Sequence, residues 1–320
     1  MHFAFRCLLV VAALALPLSH SSATPLTTDV APASGPLVIP FTPPVGEKIR
    51  YRWQKTDSKD GKSRLSWEIY DASFEKAGKG YRLTITPIDG GTDGKKSAAQ
   101  IAFEKKLKEL TKRPFIVEVS EDASISSVVD EARFWGDIER AMTTTVAGTP
   151  DQNERKAIQF VRAFFTDMSA EARTSLLIKD LQPLMEFAAT DLEEAADILP
   201  FEFETTSAFN TKITMEGTVS VLGFDDDVAV FSLVSRLSPE SLRKATAELL
   251  SKLPVDWEKM TEAQAAIDAV KHMRHENRNE YVVSRKDGML LKFTSTEEVS
   301  VEAEGKTDHR ITTKTLTRID

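Results

Sequence analysis

The chain has 320 residues, of which 28% are charged and 41% hydrophobic, and 49 acidic against 41 basic side chains give a formal net charge of −8. This is the composition of an ordinary globular protein with enough length for a sizeable core, and its acidity argues against a general nucleic-acid binder, which carries a basic excess. The single cysteine, Cys7, falls in the N-terminal leader, so the remainder has no thiol for disulfides, Cys-ligated zinc or nucleophilic catalysis.

Residues 1–23 read as a secretory signal peptide. Arg6 supplies the positive start, Cys7 to Leu18 the apolar stretch, and Ser21, Ser22 and Ala23 the small residues at a cleavage site. The apolar stretch is too short to span hydrocarbon, so the mature protein is expected to be exported, periplasmic or secreted, and not membrane-spanning. Residues 24–45 carry six prolines and read as an extended tether with Phe41 able to dock on the domain. Residues 46–320 read as one α+β domain that admits two lobes.

Strands come first. Ile49, Tyr51 and Trp53 alternate with Arg50 and Arg52, and Asp60-Gly61 offers a hairpin turn. Leu65, Trp67 and Ile69, then Tyr81, Leu83 and Ile85, repeat the alternation, and the three sets are expected to share one aromatic-rich sheet face. A short helix is predicted from Ser97 to Leu110, and a strand after Pro114.

The middle reads as helical. Ala132, Trp135, Ile138 and Met142 keep helical spacing, as do Ile158, Val161, Phe165 and Met168, and a third helix starts near Ser169 and runs toward Pro183. Asp191 to Asp197 reads as a solvated helix start. Strand alternation returns from Phe201 to Leu237 with a hairpin tip at Asp225 to Asp227, followed by helices capped at Ser238 and Thr261, the second reaching Met273. A meander closes the chain through turns at Asp287-Gly288 and Gly305. Strands bracketing a helical middle point to an α+β fold in which antiparallel meanders at both ends form a curved sheet packed with helices.

No catalytic constellation emerges, and no cofactor is expected. Ser73 to Lys76 and Ser241 to Lys244 match S-x-x-K without its companion motifs, and the glycines from Gly90 to Lys96 miss phosphate-loop spacing. His272, His275 and Glu276 would share one surface at a helix end. They lack a third strong ligand for zinc, so no metal site is assigned. Asp225 to Asp227 does not follow calcium-loop spacing. The basic run from Lys48 to Arg64 reads as an outward strand face.

Phe41-Thr42-Pro43-Pro44 before Ile49-Arg50-Tyr51, Gly80-Tyr81-Arg82-Leu83-Thr84, and the Asp287-Gly288-Met289-Leu290 hairpin resemble uncharacterised exported proteins of Gram-negative bacteria. The layout as a whole is similar to the half-barrel lipoprotein-carrier folds of the periplasm. The resemblance implies no activity. The resulting expectation is a non-enzymatic envelope protein that binds a lipid or other hydrophobic ligand in a cleft between sheet and helices, with Tyr51, Trp53, Trp67 and Tyr81 as candidate ligand-binding residues. The alternative is a structural or interaction module with an envelope protein as partner.

Overall fold

A computed structural model describes residues 35–59, 62–93, 113–148, 168–195, 198–206, 212–238, 270–303 and 306–319, with single positions between 101 and 166 and at 240–244. The predicted leader, the helix at 97–110 except for Ile101, which is helical, and the cap at Thr261 lie outside the described residues.

Among the described residues eleven strands form one open antiparallel sheet. The first meander comprises β2 (Lys48–Lys59), β3 (Lys62–Ala77), β4 (Gly80–Thr92), β5 (Phe115–Val119) and β6 (Ile125–Val128). The second comprises β8 (Leu199–Thr206), β9 (Lys212–Phe224), β10 (Val228–Leu237), β11 (Val270–Ser284), β12 (Leu290–Ala303) and β13 (Lys306–Arg318). Each strand lies beside its sequence neighbour except at one seam, where β13 pairs with β2. Antiparallel α+β is therefore the architecture, and it is richer in strand than the sequence reading of a helical middle implies.

The turns follow local chemistry. Lys59 pairs with Lys62 across the end of the β2–β3 ladder, and the predicted turn at Asp60-Gly61 lies outside the described residues. Gly288 takes φ +77 in the turn before β12, a conformation open to glycine, and Ser284 accepts its backbone N–H at 2.9 Å. At the predicted tip between β9 and β10, Asp225 accepts hydrogen bonds from the backbone N–H groups of Asp227 and Val228 at 2.9 and 2.8 Å. Its carboxyl is held below the ordinary value mainly by these bonds.

One face of the sheet, the inner face, is covered by two chain segments. Residues 35–45, read from sequence as the end of a tether, supply β1 (Leu37–Ile39), which pairs with β7 (Thr190–Leu192). Leu37 and Ile39 are buried, and the Phe41 ring stands 5.2 Å edge-on to Tyr81. The stretch read as a solvated helix start at Asp191 is thus a strand. The partner edge offered by β1 satisfies backbone groups that the local acidic composition would otherwise leave to solvent. Leu181, Leu184 and Met185 complete the cover and join a core that reaches from Val117 on β5 to Phe231 on β10. Phe187 stacks on Phe231 with ring centroids 4.0 Å apart and meets Tyr281 edge-on at 4.8 Å.

Two helices are described in full. Helix α1 (Glu131–Gly148) buries Trp135, Ala141, Met142 and Thr145, and Trp135 packs 5.4 Å from Phe165. Helix α2 (Ala170–Ile178) starts where the sequence places it, with Ser169 accepting the Ala172 N–H at 3.1 Å. Thr174 donates to the Glu131 carboxylate at 2.9 Å and ties the two helices together. Pro183 then sits in a short 3-10 turn, Gln182–Leu184. Among the described residues no helix is long and apolar enough to cross a membrane.

Candidate binding site on the inner sheet face

Paired residues on antiparallel strands share a face, so the register sorts the candidate aromatics directly. Tyr51 faces Tyr70, and Trp53 faces Glu68, whereas Trp67 faces Gln54. Trp67 therefore lies on the outer face, against the expectation that it joins Tyr51 and Trp53. There its indole lies against Gly91, the residue opposite it on β4, where a Cβ would stand 3.0 Å from Nε1. Tyr51 and Tyr81 are on the inner face and fully enclosed by the core, with the Tyr51 hydroxyl donating to the Leu290 carbonyl at 3.0 Å. Trp53 borders a cavity of about 10 Å³ shared with Pro183, Phe293, Lys314 and Leu316. That is room for about one water. The four aromatics do not form one ligand surface.

The polar residues of the same face make a different pattern. Phe231, Tyr281, Phe293, Leu316 and Trp53 form one row across β10, β11, β12, β13 and β2. The next row reads Leu233, Asn279, Ser295, Lys314 and Lys55, and the one after it Ser235, Asn277, Glu297, Thr312 and Asp57. Beyond them stand His275, Val299, Arg310 and Lys59. Along five strands the inner face thus changes from apolar to polar within two side-chain periods, each about 7 Å.

Most of this polar half is out of solvent. His275 is 2% exposed, Asn277 0%, Asn279 2%, Ser235 2% and Glu297 7%. His275 Nε2 approaches Glu297 Oε1 at 3.3 Å, and Asn279 Nδ2 donates to the Tyr281 hydroxyl at 3.1 Å. Asp57 accepts from Arg310 at 3.0 Å and from Thr312 at 2.9 Å. Yet among the described residues both ends of the Asn277 amide, His275 Nδ1, Asn279 Oδ1 and Ser235 Oγ have no hydrogen-bond partner. Each such group, buried and unmatched, costs about 1–3 kcal/mol. A fold retains that burden where something other than folding requires the groups.

Charge frames the site on one side. The C-terminal end of α2 brings Lys179 and Asp180 toward β13, where Lys314 Nζ lies 3.4 Å from Asp180 Oδ1. Burial lowers the Lys179 ammonium below its ordinary value, with Lys314 and Lys55 adding to the effect and Asp180 opposing it. Burial raises the Glu297 carboxyl, but the His275 hydrogen bond and the charges of His275, Lys314 and Arg310 outweigh it, leaving it below the ordinary value.

The segment from His272 to Glu276 requires a correction. It belongs to strand β11, not to a helix end, because β10 and β12 pair with it on both sides. Alternation then separates its members: His275 turns inward and Glu276 outward. On the outer face Glu276 is 2% exposed and meets Arg236, Arg274 and Arg278 at 2.9, 2.8 and 2.6 Å. Burial raises its carboxyl, but the arginines win and set it at about 2. Among the described residues no three metal-ligating side chains converge. The two S-x-x-K matches are structural: Ser73 and Lys76 lie in β3, with Lys76 over the Tyr81 ring, and the Ser241 hydroxyl accepts the Thr214 N–H at 2.9 Å.

No family model matches this chain, and no curated protein matches it.

Proposed function

We propose that this chain is an exported, non-enzymatic binding protein whose ligand lies on the inner sheet face across the boundary between its apolar and polar halves. The reading is carried by Asn277, fully enclosed with neither end of its amide bonded, beside the unmatched atoms of His275, Asn279 and Ser235. A ligand offering both donors and acceptors would satisfy these atoms. Trp53 stands two rows and three strands from Asn277, a diagonal of about 20 Å, and marks the filled apolar end of the face. An amphipathic ligand with an uncharged polar end fits this gradient better than a wholly apolar one, since the apolar half is already filled. Export rests on the leader, and a curved, half-barrel-like carrier sheet is the architecture this reading implies.

The test is native mass spectrometry of mature protein purified from the envelope fraction of its own host, followed by denaturing extraction. A stoichiometric small mass that the Asn277→Leu variant loses supports the reading. A bare polypeptide mass in both proteins overturns it. An interaction module of the envelope is the second reading, favoured by the apolar residues exposed at the β8 edge, among them Leu199 and Phe203.

A further inference from the structure

We propose that the free edge of β8 is a docking site for an extended, basic segment of a partner protein, which adds to the sheet as a further strand. The inference does not depend on what occupies the inner face.

Among the described residues strand β8 ends the sheet order and pairs with β9 alone, so one side of its backbone has no ladder partner there. The opposite edge, β6, spans four residues, Ile125–Val128, whereas β8 spans eight. Edges of that length are normally blunted or covered, yet Ile198 is 67% exposed, Leu199 45% and Phe203 46%. Leu199, Phe201 and Phe203 share the inner side of the strand, with the two phenyl rings 5.8 Å apart. Gly217 leaves room for this ridge, since a Cβ there would stand 2.6 Å from Phe201 Cζ. Pro200 has no N–H to donate, so the usable edge runs from Phe201 onward.

The outer side of the same strand fixes the sign of the partner's charge. Glu202 faces Glu216 directly across the β8–β9 pair, a like-charge opposition that weakens a sheet. Neither carboxylate has an ion pair among the described residues. The nearest cation in that row, Arg236, is held by Glu276 at 2.9 Å. Glu204 has only the exposed Lys212, at 3.3 Å. Pro200, Glu202, Glu216, Thr218, Val234 and Arg236 line an open groove of about 680 Å³ on this face. A Lys or Arg opposite Glu202 on an added strand would enter the groove and relieve the acidic pair. The residues flanking it would lay apolar side chains beside Phe201 and Phe203. A second copy of this chain is a poorer occupant. An antiparallel two-fold pairing that keeps faces in register about Glu202 sets that residue against its own counterpart.

The experiment uses two labelled, acetylated heptapeptides, one alternating Lys with Val and one alternating Glu with Val, titrated into mature protein and followed by fluorescence anisotropy. The Lys peptide is expected to bind and the Glu peptide not to. The Glu202→Lys and Glu216→Lys double variant, altered only at exposed positions, is expected to weaken the Lys peptide about tenfold or more and to gain affinity for the Glu peptide. Hydrogen exchange of β8 amides from Phe201 onward that face the free edge should slow when the Lys peptide is present. Equal binding of both peptides, binding of neither, an undiminished response in the double variant, or protection confined to other strands would overturn the proposal. So would a dimer in sedimentation equilibrium that Phe203→Lys dissociates, because the edge would then belong to a second copy.

Discussion

The two halves of the inner sheet face are built by the same five strands and solved in opposite ways. At the apolar end, Tyr281, Phe293, Phe231 and Leu316 meet a cover of matching chemistry from Phe187, Leu184 and Met185, and the cavity beside Trp53 there is about 10 Å³. At the polar end, two side-chain periods along, equally buried Asn277 and His275 carry atoms without a partner among the described residues. Strand pairing is indifferent to that contrast, because backbone ladders form under either kind of side chain. Apolar packing is concentrated at one end of each strand, and buried polar atoms without a described partner at the other.

Four substitutions test the contrast, beginning with the largest effect. Tyr281→Ala, which empties the filled end, should cost about 3–5 kcal/mol in urea unfolding. An effect under about 1 kcal/mol would show that the apolar end is not the stability centre. Glu276→Gln probes the outer face behind the polar end. Its carboxyl lies at about 2 in the folded chain against an ordinary 4.5. The stability it supplies is therefore present above the unfolded value and lost as pH falls through 4.5 toward 2. The variant should be up to about 3 kcal/mol weaker at neutral pH, less in high salt because the arginines are exposed, and equal to wild type near the folded value. Parallel stability curves across that pH range would contradict the pairing. Asn277→Leu removes an unmatched amide, so the ligand-free protein should gain about 1–2 kcal/mol while ligand retention falls. A loss of stability would mean the amide is satisfied. Ser169→Ala removes the N-cap of α2, the helix that carries Lys179 and Asp180 to the polar end. It should cost about 1 kcal/mol and speed amide exchange near Lys314 more than near Phe293.

The apolar half was legible in the sequence because alternation advertises itself when every second residue is hydrophobic. Ile49, Tyr51 and Trp53, or Tyr81, Leu83 and Ile85, have the right period for a strand and the right side chains to show it. The polar half was hidden for the converse reason. His275, Asn277 and Asn279 continue the two-residue phase of Tyr281 and Val283 backward, but polar side chains on an inward face look like solvated ones. The run HMRHE also fits a helix surface at spacing three and four. Extending the phase of Tyr281 toward the N-terminus was the available signal. The misplacement of Trp67 has another cause: register across the Asp60-Gly61 loop sets it opposite Gln54, and three separately alternating strands do not reveal their relative phase. Strand β7 was unreadable because its partner, β1, is more than 150 residues away in the chain.

The seam between β2 and β13 carries a consequence for how the molecule is made. Both meanders consist of hairpins that can form locally and early, yet the contact that welds them joins residues such as Trp53 and Leu316, separated by nearly the whole length between the first and last strands of the sheet. Loop closure over that span must precede any reward from the central ladder, so the rate-limiting step of folding should be the docking of the two meanders, not the growth of either. Until β13 arrives, β2 and β12 each present a long unpaired flank in the middle of the future sheet. The nascent chain is therefore at its most adhesive just before completion. A holding factor that keeps the meanders apart would raise the yield of native protein, and a truncation within β13 would leave two self-associating halves rather than a weakened whole.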